Sequence, residues 1–207
     1  MSKEAFSGTG VNLSSGYFMR NFYADNRAAF AKDTRGDYTK TQLSKEDSRA
    51  LRRAIKKLGT YSFDDNDSTN VRSNVKALIQ TYNNLLTSGG DSPDRDISRN
   101  TGKLESLVQE YADELDAIGI TVNEDHSLTV RDDLFANADI SKFEKLFSPE
   151  AEFTQKIDQL AKRINRYSDE AILEEKHRAE AEAKKTKSIS LEQLCNKGVG
   201  GKVDFTV

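Results

Sequence analysis

Three stretches of this chain repeat large apolar side chains at alternating steps of three and four, and that periodicity limits the fold more than any other feature. Val71, Val75, Leu78, Ile79, Tyr82, Leu85 and Leu86 form the first, and Leu104, Leu107, Val108, Tyr111, Leu115 and Ile118 the second. Phe153, Ile157, Leu160, Ile164 and Tyr167 form the third, with the most regular heptad-like spacing. Such spacing places one apolar stripe along a helix. It predicts helices over 71–87, 101–118 and from 150 onward. A shorter one over 44–58 carries Leu51, Ala54, Ile55 and Leu58. Only two prolines, Pro93 and Pro149, interrupt the chain. Charged residues make up 31% against 36% apolar, which suits a high ratio of surface to core. The expected fold is mainly α: an elongated antiparallel helical bundle or coiled coil with one small β-hairpin.

The breaks between stripes organise this plan. Ser44 is a candidate cap, Lys56 and Lys57 suit a last turn, and Gly59 follows. Gly89, Gly90 and Pro93 separate the first two stripes, which reads as a helical hairpin. After Gly119, Ile120 and Val122 alternate on one side of Asn123–Ser127, and Leu128 and Val130 on the other. That is a short β-hairpin on a five-residue loop. Two such strands alone are barely stable in water. Asp132 and Asp133 can cap a helix carrying Phe135, Phe143, Leu146 and Phe147, broken near Asn137. Ser148-Pro149-Glu150 resembles a helix start. Past Asp169 the large apolar residues thin out, and Glu174/Arg178 and Glu180/Lys184 are spaced for ion pairs. The domain reading is a flexible arm over 1–43, with Phe18, Phe22 and Phe30 at the spacing of a short helix. A helical stalk comes next over 44–187, with the hairpin near 118–131, then an irregular tail over 188–207.

Little here points to chemistry. The acidic cluster Asp64, Asp65 and Asp67 fails the EF-hand pattern, because its sixth and twelfth positions are Thr69 and Val75. His126 and His177 are far apart, and Cys195 is the sole cysteine, so no metal site is expected. Gly8 and Gly10 do not follow a strand, so no phosphate loop is read. The chain is expected not to be an enzyme, with no catalytic residue, cofactor or small-molecule substrate. A net charge of −3 gives no expectation of nucleic acid. No apolar run approaches the roughly 20 residues that span a bilayer, so no membrane insertion is expected. The first residues, MSKEAFSGTG, lack the apolar core of a secretory signal. That leaves two compartments: the cytoplasm, or the exterior by a route without a cleaved signal. The expected partner is protein, met through Phe153, Ile157, Leu160, Ile164 and Tyr167.

The order of motifs says more than any one of them. "VKALIQTYNNLL" carries Tyr82-Asn83, "LDAIGIT" carries Gly119-Ile120-Thr121, and "SLTVRDDL" comes after the hairpin loop. A segment closing on Leu146-Phe147 and a long helix complete the set. In this order they resemble the C-terminal segment of the flagellar hook-associated protein 2 family, the filament-capping proteins, over about half the chain. His126-Ser127 stands where that family has an Asp-Gly turn. The resemblance implies a helical leg that packs on its own chain and meets copies of itself or other flagellar axial proteins. Two alternatives are a cytosolic helix-binding module, chaperone-like or regulatory, and a structural component of a phage or secretion system. The hairpin reads either as a rigid elbow between helices or as an edge that recruits a partner strand.

Overall fold

A computed structural model describes residues 35–196 of the chain. It is mainly helical, with one two-stranded antiparallel sheet. Among the described residues the order is α1 (Lys40–Leu58), α2 (Ser68–Gly90), α3 (Arg95–Glu110), α4 (Ala112–Asp116), β1 (Ile120–Val122), β2 (Leu128–Val130), α5 (Asp132–Asn137), α6 (Ile140–Phe147) and α7 (Glu152–Asn196). No described helix is long and apolar enough to cross a membrane. The expected arm helix near 17–31 lies outside the described residues. The chain divides into two compact units, Met1–Asp169 and Glu170–Val207. The described part of the second is the remainder of α7, whose side chains from Leu173 to Lys185 are exposed.

Helix ends follow local chemistry, not always where the sequence pattern puts them. α1 begins at Lys40, four residues before the expected cap. Thr39 accepts from the Gln42 N–H, and the Gln42 side chain accepts from the Thr39 N–H. This reciprocal box satisfies two orphan donors. Ser44 lies inside the helix and donates to the Lys40 carbonyl. α2 runs through Gly89 and Gly90 instead of stopping at them. A Cβ at Gly89 would collide with the Thr101 side chain, so this glycine serves the close approach of α3. The single helix expected over 101–118 is two, interrupted at Tyr111, and it starts earlier, where Asp94 accepts from the Asp96 and Ile97 N–H groups. Ser148-Pro149-Glu150 forms the turn before α7, not its first residues. α7 continues to Asn196, so the first nine residues of the expected irregular tail are helical. No Gly or Pro stands between Pro149 and Gly198 to stop it.

Side-chain contacts fix the helix directions in the first unit. Lys40 meets Asp91, Asp47 meets Ser88 and the Ala54 carbonyl meets Asn74, so α1 and α2 run antiparallel. Arg52 meets Asp158 and the Lys45 carbonyl meets Asn165, so α7 also runs antiparallel to α1. On its other side α7 passes α3, with Lys156 near Glu110 at 3.8 Å and the Phe153 ring 4.9 Å from Tyr111. The core is aliphatic along α1 and α2 and aromatic beneath the hairpin. There Phe135, Phe143, Phe147, Phe153 and Tyr111 form an unbroken run of ring contacts from α5 to the end of α3.

One charge sits inside this frame. The Asp47 side chain has no exposed surface. Arg35 donates to both of its oxygens, at 2.8 and 2.9 Å, and the Ser88 hydroxyl donates to one at 2.7 Å. Burial pushes the Asp47 carboxyl above the ordinary range, and the hydrogen bonds from Arg35 and Ser88 work against that rise. The bidentate fork is the strong form of such a pair.

Candidate functional site

The motif residues that are far apart in sequence meet on one face of α2. Asn83 donates its amide N–H to the Leu128 carbonyl and accepts the Leu128 N–H, both at 2.8 Å. The amide group thus takes the place of the next strand on the outer edge of β2. Beside it, the Tyr82 hydroxyl donates to the His126 carbonyl at 2.9 Å. Burial pushes the Tyr82 hydroxyl pKa up, and nearby Glu105 and Asp125 add to that, so it remains a donor. His126 supplies its carbonyl from the left-handed region, at φ 61°. Residues other than glycine are uncommon in that region.

The same side of α2 holds the segment after the hairpin. Arg72 donates to the Phe135 and Ala138 carbonyls at the end of α5, at 3.3 and 2.8 Å. Lys76 pairs with Asp132 at the start of α5. Arg72, Lys76 and Asn83 are spaced by four and seven residues, which is one helical face. At the hairpin's base, the Arg131 N–H donates to the Gly119 carbonyl at 2.8 Å, and Gly119 itself lies at φ 81°. The hairpin is an elbow clasped to α2. We expect Asn83→Ala to cost about 1–3 kcal/mol, because it leaves a half-buried N–H and C=O of β2 without partners. Thermal melting reads the cost, and faster amide exchange at Leu128 locates it.

The second surface is electrostatic and lies between α1 and α7. Arg49, Arg52, Arg53 and Lys56 occupy positions i, i+3, i+4 and i+7 of α1, one solvent-facing stripe. Lys162, Arg163 and Arg166 continue the same pattern from Gln159 on α7. The two stripes line adjoining open grooves of about 580 and 560 Å³ that share Arg52. Carboxylates punctuate them: Arg52 pairs with Asp158 at 3.0 Å, Arg49 with Glu46 at 3.2 Å, and Lys45 with Asp169. From Arg49 to Lys57 there are five cations and no acid, in a chain whose net charge is −3.

The residues expected to meet a partner lie elsewhere. Phe153 and Ile157 are 1% exposed and Ile164 is fully buried, all within the chain's own core. Leu160 and Tyr167 pack against that core. The seam is closed by this chain's own helices, because α7 runs between α1 and α3. An outside helix therefore has no continuous apolar stripe to take there. The acidic loop after α1 serves itself: Asp64 accepts from the Asn66 and Asp67 N–H groups, and Asp67 accepts from the Ser62 N–H. Among the described residues no group of three His, Cys, Asp or Glu side chains is placed to hold a metal ion. Sequence reading missed the basic strip, although its spacing was visible on both helices. Compared with protein-family models, with curated proteins and with solved structures, the chain finds no match.

Proposed function

We propose that this chain is a non-enzymatic structural or assembly protein that works by associating with other protein, on a plan resembling the helical leg of the flagellar filament cap. The observation that carries association is the α1–α7 strip. Seven cations on two facing helical stripes are exposed or half-buried on a well-packed frame. A surface of that sign on an acidic chain favours and steers an acidic protein surface. The punctuating carboxylates Asp158 and Asp169 disfavour a continuous phosphate backbone, which would have to pass them. The antiparallel contacts of α1 with α2 and α7, and of α7 with α3, favour a helical bundle over a two-stranded coiled coil.

The flagellar part of the reading rests on the clasp. Tyr82-Asn83, Gly119 and the 127–134 segment are the motifs of the resemblance: Asn83 bonds Leu128, Tyr82 bonds the loop carbonyl of His126, and the Arg131 N–H donates to the Gly119 carbonyl. Fractionation of the source cells, with and without a working flagellar export apparatus, tests it. Recovery outside the cell that depends on the apparatus is the expected result. Retention in the cytoplasm in both backgrounds overturns the axial role and leaves a cytosolic protein-binding module.

A further inference from the structure

Charge is segregated along the first unit. From Asp113 to Asp133 there are seven carboxylates and a single cation, Arg131. All seven carboxylates are exposed. Asp116 pairs with Arg131 and Asp132 with Lys76. The remaining five, Asp113, Glu114, Glu124, Asp125 and Asp133, stand on α4, the hairpin loop and the start of α5. The Ser127 hydroxyl and N–H donate to Asp125 and hold its carboxyl below the usual range, so it stays ionised. The clasp to α2 makes this acidic end a rigid feature, not a loose loop. The basic strip is built on other elements, α1 and α7, and its carboxylate partners Asp158, Glu46 and Asp169 are its own.

We infer that the occupant of the basic strip is the acidic hairpin end of a second copy of this chain. The inference rests on the proposed association and names its partner. The two surfaces differ, so the contact is heterologous, each copy offering a strip to one neighbour and a hairpin end to another. Repeated, such a contact closes into a ring or extends head to tail. Arginine forks suit the carboxylates, which stand in short clusters on the hairpin end. The contact is mostly exposed ion pairing, so it is steered over long range and weakens as salt rises.

Sedimentation of the full chain over a concentration series tests this at about 50 mM and about 500 mM salt, ionic strengths that bracket the change from weak to strong screening. Wild type should associate at low salt and fall to monomer at high salt. Lys56→Glu/Lys162→Glu/Arg163→Glu reverses the strip, and Glu114→Lys/Glu124→Lys/Asp133→Lys reverses the hairpin end. Each variant alone should stay monomeric. Mixed in equal amounts they should associate, because each restores the complement the other lacks. If a reversal does not fold, the matching Gln set (Lys56→Gln/Lys162→Gln/Arg163→Gln) should still weaken association about tenfold. Wild type that stays monomeric at low salt overturns the inference, and so does a mixture that fails to associate. Labelled poly-glutamate separates self-association from association with another protein. Binding lost in the strip variant, with no self-association, leaves an acidic protein partner and excludes the second copy. Failure of poly-glutamate together with tight binding of a DNA duplex overturns both.

Discussion

Replacing Arg35 with Ala lowers stability at neutral pH by about 3–5 kcal/mol, the usual result of stranding one member of a buried ion pair. Asp47 then keeps only the Ser88 hydroxyl as a partner inside the frame. The deficit depends on pH, with a definite sign. Burial already raises the Asp47 carboxyl, and Arg35 is the first of the groups that oppose the rise. Without Arg35 the folded chain holds the Asp47 proton more tightly than the unfolded chain does. That contribution is complete below the ordinary carboxyl range and is lost as pH climbs through the raised value. The variant should therefore approach wild type near pH 4 and fall behind it toward pH 7. Adding Asp47→Asn to Arg35→Ala should recover part of the loss at pH 7 and flatten its pH dependence. Chemical denaturation at a series of pH values measures all three chains. A deficit that is the same at pH 4 and pH 7 would mean that Asp47 is not the group left stranded.

Gly119→Val should be similarly damaging, at about 2–5 kcal/mol from left-handed strain and overpacking together. Gly119 sits at φ 81°, where a β-branched residue is strongly disfavoured. Space is closed as well as conformation. A Cβ there would lie 2.6 Å from the Phe135 nitrogen and 2.9 Å from Leu134 Cβ. The strand cannot shift away without breaking the bond from the Arg131 N–H to the Gly119 carbonyl or pulling Leu128 off Asn83. The loss should appear as a lower denaturation midpoint, and Gly119→Ala should fall between the two chains. An unchanged midpoint for valine would mean that the elbow does not need this turn.

The helical stripes were legible because most apolar steps land on a buried side chain: Val75, Leu78, Tyr82 and Leu85 in α2, and Phe153, Ile157 and Ile164 in α7. Gly119 and the five-residue loop were legible for the same local reason, since turn chemistry needs no tertiary partner. What covers a stripe was not legible. The α7 seam has the spacing of an interface, and only the placement of α1 and α3 shows that it is internal. Polar burial was hidden too. Thr41, Ser44, Asp47 and Ser48 are all fully buried, yet in sequence they look like one solvated face of α1. The basic strip escaped for the opposite reason. Arg49, Arg52, Arg53 and Lys56 have helical spacing, but an average over the whole chain cancels them against the carboxylates of 113–133.

The neighbours of α1 also bear on how the chain is made. Arg52 finds Asp158 across 106 residues, and the Lys45 carbonyl finds Asn165 across 120. Such distant pairings make folding slow, because a long loop must close before the contact repays it. During synthesis, α1 and α2 can pair as soon as both have emerged, and the hairpin can then clasp α2. The flank of α1 that receives α7 stays open until most of the remaining chain exists. A ribosome-bound fragment ending before Glu152 would therefore leave uncovered the flank of α1 that carries Ile55, which in the folded chain lines a groove with Thr154, Gln155 and Asp158, the kind of surface that chaperones hold.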